Sequence, residues 1–419
     1  MTVKTYDIVL FGVTGFTGKL AVEYLLNKND SSLKWAACAR SEPRAQAVLK
    51  EIADSVNQPP PALVIADLVC QKPDDEAKLR KIVASTKVVL TAAGPFEKYG
   101  ITLHKLCAEE GVHYADITGE TSFFRHIIEA HDDTARKNKA SLVSHCGNDC
   151  IPQDMTVFEM HEYARSKGCT LKKVTTLDVF PSEATFSGGT LTTAMYQLGK
   201  SKSDQKPTSM DYDPLLKTLD GKKSEHSTKV IHKGSQYHEQ FGRKAGPWIM
   251  GPVMANCVRR SNAVLGYNTA LEYGDAAVDD PSWTNWVKRT AFTGVVGVSM
   301  YVTPLQKFLP QPGEGPDRQT MEDGFLKLYG YGVMEDENGK EIPIYSLFHF
   351  HHDTGYYMTA QLLVETGILL VKKDAAKTLT EGGVLTPAIA FGSELTKHLT
   401  KELECTFDLQ EIPFDTTGV

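Results

Sequence analysis

The chain has 419 residues, 41% apolar, 23% charged and 9% aromatic, with 45 Lys+Arg against 52 Asp+Glu for a net charge of −7. Values this close to the globular average exclude disordered, collagenous and coiled-coil architectures, and at ~150 residues per domain the length predicts two or three domains. The modest negative charge gives no reason to expect a nucleic-acid partner.

Tyr6–Phe11 (YDIVLF) is a short apolar run with a glycine directly after it and reads as the first strand; Gly18–Leu26 then shows helical spacing. Trp35–Ala39, Leu63–Ala66, Val88–Ala92, Tyr114–Ile117 and Ser141–His145 continue the strands, with helical stretches such as Arg44–Val56 and Glu76–Ser85 between them. Strands separated by helices of this length form parallel βαβ units, so the first ~150 residues predict a doubly wound sheet. After about residue 152 the rhythm changes. Leu171–Phe180 and Lys229–Ile231 are strand-like, and residues 200–245 are polar, with ten Lys/Arg against six Asp/Glu. That run reads as solvated loops with an antiparallel ribbon, the alternative being a basic docking face for an anionic substrate carrier.

Thr290–Leu305 is mostly apolar or small, with Lys288, Arg289 and Lys307 at its ends and Trp283, Trp286 and Phe308 nearby. It is shorter than the ~20 residues a spanning helix needs. The preferred reading is a buried helix or a homodimer interface, and the rival is a segment lying on a membrane or lipid-droplet surface. A break at Gly382-Gly383 precedes a last helix, Pro387–Leu399, with Phe391, Leu395 and Leu399 at helical spacing. Residues 1–6 lack the plan of a signal peptide, the last five match neither a peroxisomal tripeptide nor a CaaX box, and the eight cysteines show no CxxC pairing. A soluble protein of the reducing cytoplasm is the expectation.

Gly12-Val13-Thr14-Gly15-Phe16-Thr17-Gly18 follows the first strand and opens the first helix. Gly12 suits the tight turn, Gly15 the close approach of a pyrophosphate and Gly18 the packing of helix on strand. Thr14, Phe16 and Thr17 complete a loop whose helix N-terminus attracts phosphates. At the end of the second strand an NAD site usually places Asp or Glu, but here the run is Ala37-Cys38-Ala39-Arg40-Ser41. Arg40 offers a planar fork to a 2′-phosphate and Ser41 a hydroxyl, so NADP(H) is the expected cofactor. Asp67, after the third strand, is placed at the adenine edge. Ala93, Gly94 and Pro95, after the fourth, line the path toward the nicotinamide.

With these residues in place the chain resembles the saccharopine dehydrogenase-like oxidoreductases, in their trans-acting enoyl reductase branch. The resemblance rests on Gly12–Gly18, Ala93–Phe96, Tyr114–Glu120, Cys146–Pro152, Ser187–Thr190, Val258–Ser261, Pro312–Pro316 and Gly383–Pro387, in that order. Two departures stand out: Thr354 replaces a proline, and Cys146 and Cys150 stand where an aromatic residue and a serine are expected. The resemblance implies an α/β fold, with a Rossmann-type doubly wound sheet over residues 1–152. It further implies an inserted α+β domain for substrate or dimerisation over 153–382, and a C-terminal segment, 383–419, returning to the first domain. It also implies nicotinamide redox chemistry.

Reduction of a double bond needs a proton besides the hydride, and Tyr114, Asp116 and His145 lie at the C-terminal ends of late strands, where open α/β sheets bind ligands. Spacing alone does not choose among the three. The run His145-Cys146…Asp149-Cys150 has no second half of metal-site spacing, His349 and His351 lack a further ligand in the next helix, and no G-x-S-x-G elbow occurs, so neither a metal site nor a serine hydrolase is expected. The expected activity is NADPH-dependent reduction of an enoyl-type or other conjugated double bond in a hydrophobic, lipid-like substrate. The rivals are an imine reductase of the saccharopine type and a nucleotide-binding module on a lipid surface without turnover. Imines carrying several carboxylates would need pocket arginines, and Arg259-Arg260 is the one pair in view.

Overall fold

The computed structural model describes residues 4–181, 187–198, 209–231, 234–248, 250–278, 309–311, 313–372 and 382–414. The apolar stretch Thr290–Leu305 and its flanks from Trp283 to Phe308 lie outside the described residues. The first part of the chain runs β1 (Tyr6–Phe11), α1 (Phe16–Lys28), β2 (Trp35–Ala39), α2 (Glu42–Ser55), β3 (Ala62–Ile65), α3 (Pro73–Ala84), β4 (Thr86–Thr91), α4 (Phe96–Glu110), β5 (His113–Asp116), α5 (Thr121–Lys137), β6 (Ser141–Val143) and α6 (Ile151–Ser166). There follow β7 (Thr170–Val179), α7 (Gly188–Leu198), β8 (Ser227–Val230), β9 (Gln236–His238), β10 (Arg243–Gly246), α8 (Gly251–Leu265), β11 (Ala270–Val278), α9 (Arg318–Glu322), β12 (Leu326–Glu335) and β13 (Glu341–Phe350). The chain closes with α10 (Tyr357–Val371), β14 (Gly383–Leu385), α11 (Pro387–Phe391), α12 (Ser393–Glu402) and β15 (Cys405–Gln410).

The first sheet is parallel throughout, in the order β3-β2-β1-β4-β5-β6-β14. Side chains alternate across a strand, and in β1 both faces are dry. Ile8 and Leu10 join one core with α1, α2 and α10, while Val9 and Phe11 join another with α3, α4 and α5. The order reverses direction between β1 and β4, which opens a crevice beyond their C-terminal ends. The strand expected at Ser141–His145 stops at Val143, and His145 adopts the left-handed conformation (φ 68°), which turns the chain out of the sheet.

Among the described residues the second sheet has eight strands, in the order β15-β13-β12-β7-β11-β10-β9, with β8 beside β11. It is mixed: β7 and β11 run parallel, while β12, β13 and β15 run antiparallel to their neighbours. The ribbon expected within residues 200–245 is the antiparallel pair β9–β10. Several cations of that run are tied up locally: Lys217 is buried and paired with Asp133 (2.8 Å), and Lys229 pairs with Glu272 (2.9 Å).

Within residues 153–382, α10 covers one face of the first sheet, packing on α1, β1, β4 and β5. Every residue from Met358 to Leu370 is buried, so the helix must be enclosed on all sides. A Cβ at Gly367 would lie 2.7 Å from Leu90 Cδ2. The one carboxylate this buries, Glu365, accepts from Tyr24 Oη (2.6 Å), Lys28 Nζ (2.8 Å) and His398 Nε2 (2.7 Å). The C-terminal segment returns to the first sheet through β14 and then crosses to the second, where β15 forms an edge strand. The single helix expected at Pro387–Leu399 is two, because Gly392 (φ 54°, ψ −147°) breaks it in a conformation reserved for glycine. Among the described residues no helix is long and apolar enough to cross a membrane.

Between α4 and α5 the His104 and His131 rings face each other, Nδ1 to Nδ1 at 2.9 Å, so one ring donates and the other accepts. Burial holds both in the neutral form: it drives His104 well below the usual imidazole range and His131 down to about 4. The unfolded chain takes up these protons near pH 6.5, before the folded one does. Their contribution to stability is therefore complete above pH 6.5 and declines as pH falls toward 4, by roughly 3 kcal/mol for His131. Buried carboxyls such as Asp178, raised by burial, act in the opposite sense. The histidine contribution is thus read as a difference: urea midpoints of the wild type and His131→Leu should converge between pH 7 and 4.5, and parallel pH curves would contradict it.

Candidate active site

Beyond the β1–β4 crevice lies a cleft of about 590 Å³ walled by both parts of the molecule. Its phosphate end is the β1–α1 turn. Gly12 (φ 86°) packs so closely on β4's continuation that a Cβ would come within 2.9 Å of Ala93 N, and a Cβ on Gly18 would overlap the Gly12 carbonyl oxygen. Gly18 therefore stands behind the loop, while Gly12, Thr14, Gly15, Phe16 and Thr17 face the cleft. Gly15 holds the N-cap position of α1 with no side chain capping it. The first amides of a helix have no intrahelical partner, and here they open on the cleft as an anion cradle.

At the outer end the wall includes Cys38, Arg40, Arg44, Ala66 and Asp67. Arg44 was not foreseen; its place in the first turn of α2, four residues after Arg40, was the available signal. Ser41 is exposed at the N-cap of α2 and is not part of the wall. On the fourth-strand side Ala93 and Gly94 line the cleft, and Phe96 takes the place expected for Pro95.

The second part of the molecule closes down on the glycine loop through two of the quoted motifs. Gly313 (φ 99°) lies against Thr14, with a would-be Cβ 3.4 Å from the Thr14 carbonyl, and one on Gly315 would come within 2.6 Å of the Phe16 ring. The Gly188 N–H donates to Glu314 O (3.0 Å), which fastens the Ser187–Thr190 turn to this loop. Tyr356 joins them: its ring packs edge-on against Phe16 (5.3 Å between centroids), and its hydroxyl accepts from Ser187 N (2.7 Å) and bonds Thr190 Oγ1 (2.9 Å).

The three expected proton donors separate in depth. Tyr114 is fully buried in the core with its ring against His104 (4.9 Å), not on the cleft wall, and burial raises its pKa well above the ordinary value. Asp116, two residues nearer the strand end on the same face, stands just behind the wall. It accepts from Thr118 N (3.0 Å), Ser144 Oγ (3.1 Å) and His145 N (3.2 Å), so it ties together the loops after β5 and β6. His145 alone of the three is on the wall. Its Nδ1 lies 2.6 Å from the Thr118 carbonyl, which can only accept, so Nδ1 carries a proton. Nε2 is buried without a partner of hydrogen-bond geometry among the described residues. Burial pulls the His145 pKa down, but the Cys150 thiolate, the Asp116 carboxylate and the Thr118 carbonyl together push it up to about 9.

Other polar groups at this inner end were missed in the sequence. Glu120 accepts from Phe96 N (2.6 Å), Glu97 N (3.0 Å) and Gln197 Nε2 (2.9 Å), so it caps α4 and is engaged on both oxygens. Asp149, beside the Trp248 indole, is raised to about 6, chiefly by burial. Asp178, next to it, is raised by burial and by the charges of Asp149 and Asp275. Arg259 and Arg260 are not on the wall: Arg259 pairs with Asp213 (3.1 Å), and Arg260 is buried against the Lys217 and Val384 carbonyls. Among the described wall residues the permanent cations are Arg40 and Arg44, both at the outer end, and no group of three His, Cys, Asp or Glu residues is disposed to hold a metal.

A glycine cradle, an uncapped helix N-terminus and two outer guanidiniums fit a phosphorylated dinucleotide lying along the cleft. Comparison with known proteins agrees. Residues 8–145 match the saccharopine dehydrogenase NADP binding domain. The chain is 30% identical over 417 residues to a trans-acting enoyl reductase of Mycobacterium bovis, covering 94% of this chain and 96% of that protein. It is 29% identical to one of Mycobacterium ulcerans at the same coverage. Saccharopine dehydrogenase (L-Glu forming) of Saccharomyces cerevisiae has a similar fold, with a TM-score of 0.58 at 12% identity over 97% of this chain and 100% of that one.

Proposed function

The chain belongs to the saccharopine dehydrogenase-like oxidoreductases, in their trans-acting enoyl reductase branch, and from that premise we propose that it uses NADPH to reduce an activated carbon–carbon double bond in a hydrophobic substrate. The observation that carries this reading is the charge layout of the cleft. Its guanidiniums lie at the outer end, and its inner end is edged by Glu120, Asp149 and, behind them, Asp178. Among the described wall residues that end offers no arginine or lysine to a substrate with several carboxylates, and it accepts an uncharged acyl chain beside Met250 and Val253.

When bound, the nicotinamide cofactor supplies the hydride. The glycine loop and α1 N-terminus hold its pyrophosphate, and Arg40 with Arg44 holds the 2′-phosphate. His145, a wall residue protonated at neutral pH, is the proton donor: with Nδ1 held by the Thr118 carbonyl, its Nε2–H is the one left to bond a substrate carbonyl oxygen as negative charge grows there and to deliver the proton. Asp116 is a positioning residue: by binding the amides of Thr118 and His145 it keeps the ring's Nδ1–H on the Thr118 carbonyl and so aims Nε2.

NADPH oxidation followed with a panel of enoyl thioesters, amino-acid imines and neutral lipids tests the reading. Turnover is expected with apolar enoyl thioesters; oxidation with tricarboxylic imines alone, or nucleotide binding with no oxidation, contradicts it. Cofactor choice has its own test. A charge-assisted hydrogen bond contributes ~1.5–3 kcal/mol, so Arg40→Ala or Arg44→Ala should each weaken NADPH by about ten- to a hundredfold, more so at low salt, and leave NADH unchanged. Equal weakening of both nucleotides would remove the guanidiniums from the 2′-phosphate site.

A further inference from the structure

We infer that Cys150 and Cys257 form an oxidisable dithiol in the cleft wall, a modification site at which a peroxide closes a disulfide and a thiol reductant reopens it. Both are free thiols. Cys150 is the N-cap residue of α6 and lines the cleft, and Cys257 comes from α8 behind it. With Val253 they form a small buried cluster, packed against Met250 and separate from the larger cores. The two cysteines share this cluster where α6 packs on α8, and the His145 imidazolium charge acts on Cys150.

The two sulfurs are unequal, as an attacking and a resolving thiol must be. Burial raises a thiol's pKa, but Cys257 and His145 outweigh it at Cys150 and bring this one below the usual thiol value. The start of a 16-residue helix also favours a thiolate there. Cys257 is pushed well up, chiefly by burial, and stays a thiol. Burial raises Cys38, Cys70, Cys107, Cys146 and Cys405 as well.

In the first step the Cys150 thiolate attacks one peroxide oxygen. The O–O bond breaks, hydroxide leaves and is protonated to water, and the sulfur, oxidised by two electrons, becomes a sulfenic acid. The Cys257 sulfur then attacks that sulfur, the S–O bond breaks, and hydroxide leaves with the Cys257 proton as water. The disulfide takes from His145 the thiolate that helps it keep its proton. On the function proposed above, oxidation therefore silences the enzyme reversibly.

The test uses the full chain, a few equivalents of hydrogen peroxide at neutral pH and non-reducing peptide mass spectrometry. The expected product is a Cys150–Cys257 cross-link that dithiothreitol removes, with Cys70 and Cys169, the more exposed thiols, still reduced. In Cys257→Ser, dimedone should instead trap a sulfenic acid at Cys150. Oxidation of Cys70 or Cys169 before Cys150, or a Cys150 sulfinic acid in the wild type without any cross-link, overturns the dithiol. A cross-link with undiminished NADPH-dependent turnover overturns its regulatory role. A cross-link in a protein that never turns over enoyl thioesters supports the dithiol and counts against the reductase reading instead.

Discussion

His145→Asn should lower turnover about 10²- to 10⁴-fold, the usual contribution of a positioned general acid, while NADPH still binds with wild-type affinity. Asparagine is the informative replacement because residue 145 has φ 68°, and asparagine tolerates the left-handed region that alanine would enter only with strain. The loop after β6 should therefore keep its shape, and the loss can be assigned to the imidazole. The same residue sets a pH dependence. With its pKa pushed up to about 9, His145 holds its proton at neutral pH, so the wild-type rate should fall as pH rises through about 9. His145→Asn should lack that alkaline limb. Unchanged turnover in the variant would move the acid elsewhere, with the half-buried Asp149 the next group on the wall.

Gly15→Asp should abolish dinucleotide binding in a protein that keeps its fold. The backbone at Gly15 (φ −82°, ψ 167°) is open to any residue, and a Cβ there meets one neighbour, Gly12 O at 3.2 Å. Aspartate is also a favoured N-cap, so α1 gains a cap it lacks. The carboxylate, however, occupies the amides that a pyrophosphate needs and adds like charge. Losing two or more charge-assisted bonds of ~1.5–3 kcal/mol raises the NADPH dissociation constant by at least about a hundredfold. Gly18→Ala is the contrast, since its Cβ overlaps the Gly12 carbonyl and should lower stability as well. Wild-type NADPH affinity in Gly15→Asp would displace the cofactor from this loop.

Much of the first domain was legible because local pattern and tertiary role coincide there. Short apolar runs make buried parallel strands, and the mechanical reasons for the glycines hold in the structure at Gly12 and Gly18. Legibility failed where a residue's role is set by what lies far away in sequence. Tyr114, Asp116 and His145 occupy similar strand ends, and their order in depth depends on where β6 stops. Arg259 and Arg260 read as a pocket pair until Asp213 and the Val384 carbonyl claim them. Nothing in the spacing of the α10 segment says which sheet will enclose it. Cys150 looked like one half of a failed metal motif, and its partner Cys257 lies 107 positions away on a different helix.

The central claim is that this cleft moves hydride from NADPH to the β-carbon of an activated double bond. The most direct measurement incubates the protein with [4-²H]NADPH, labelled in turn on each face, and an apolar enoyl thioester, then locates the label in the product by mass spectrometry. The account predicts a saturated thioester with one deuterium on the β-carbon from one labelled face, and a solvent-derived proton on the α-carbon. Stoichiometric NADPH binding with no labelled product from any enoyl thioester, while an amino-acid imine takes up the deuterium, would contradict it.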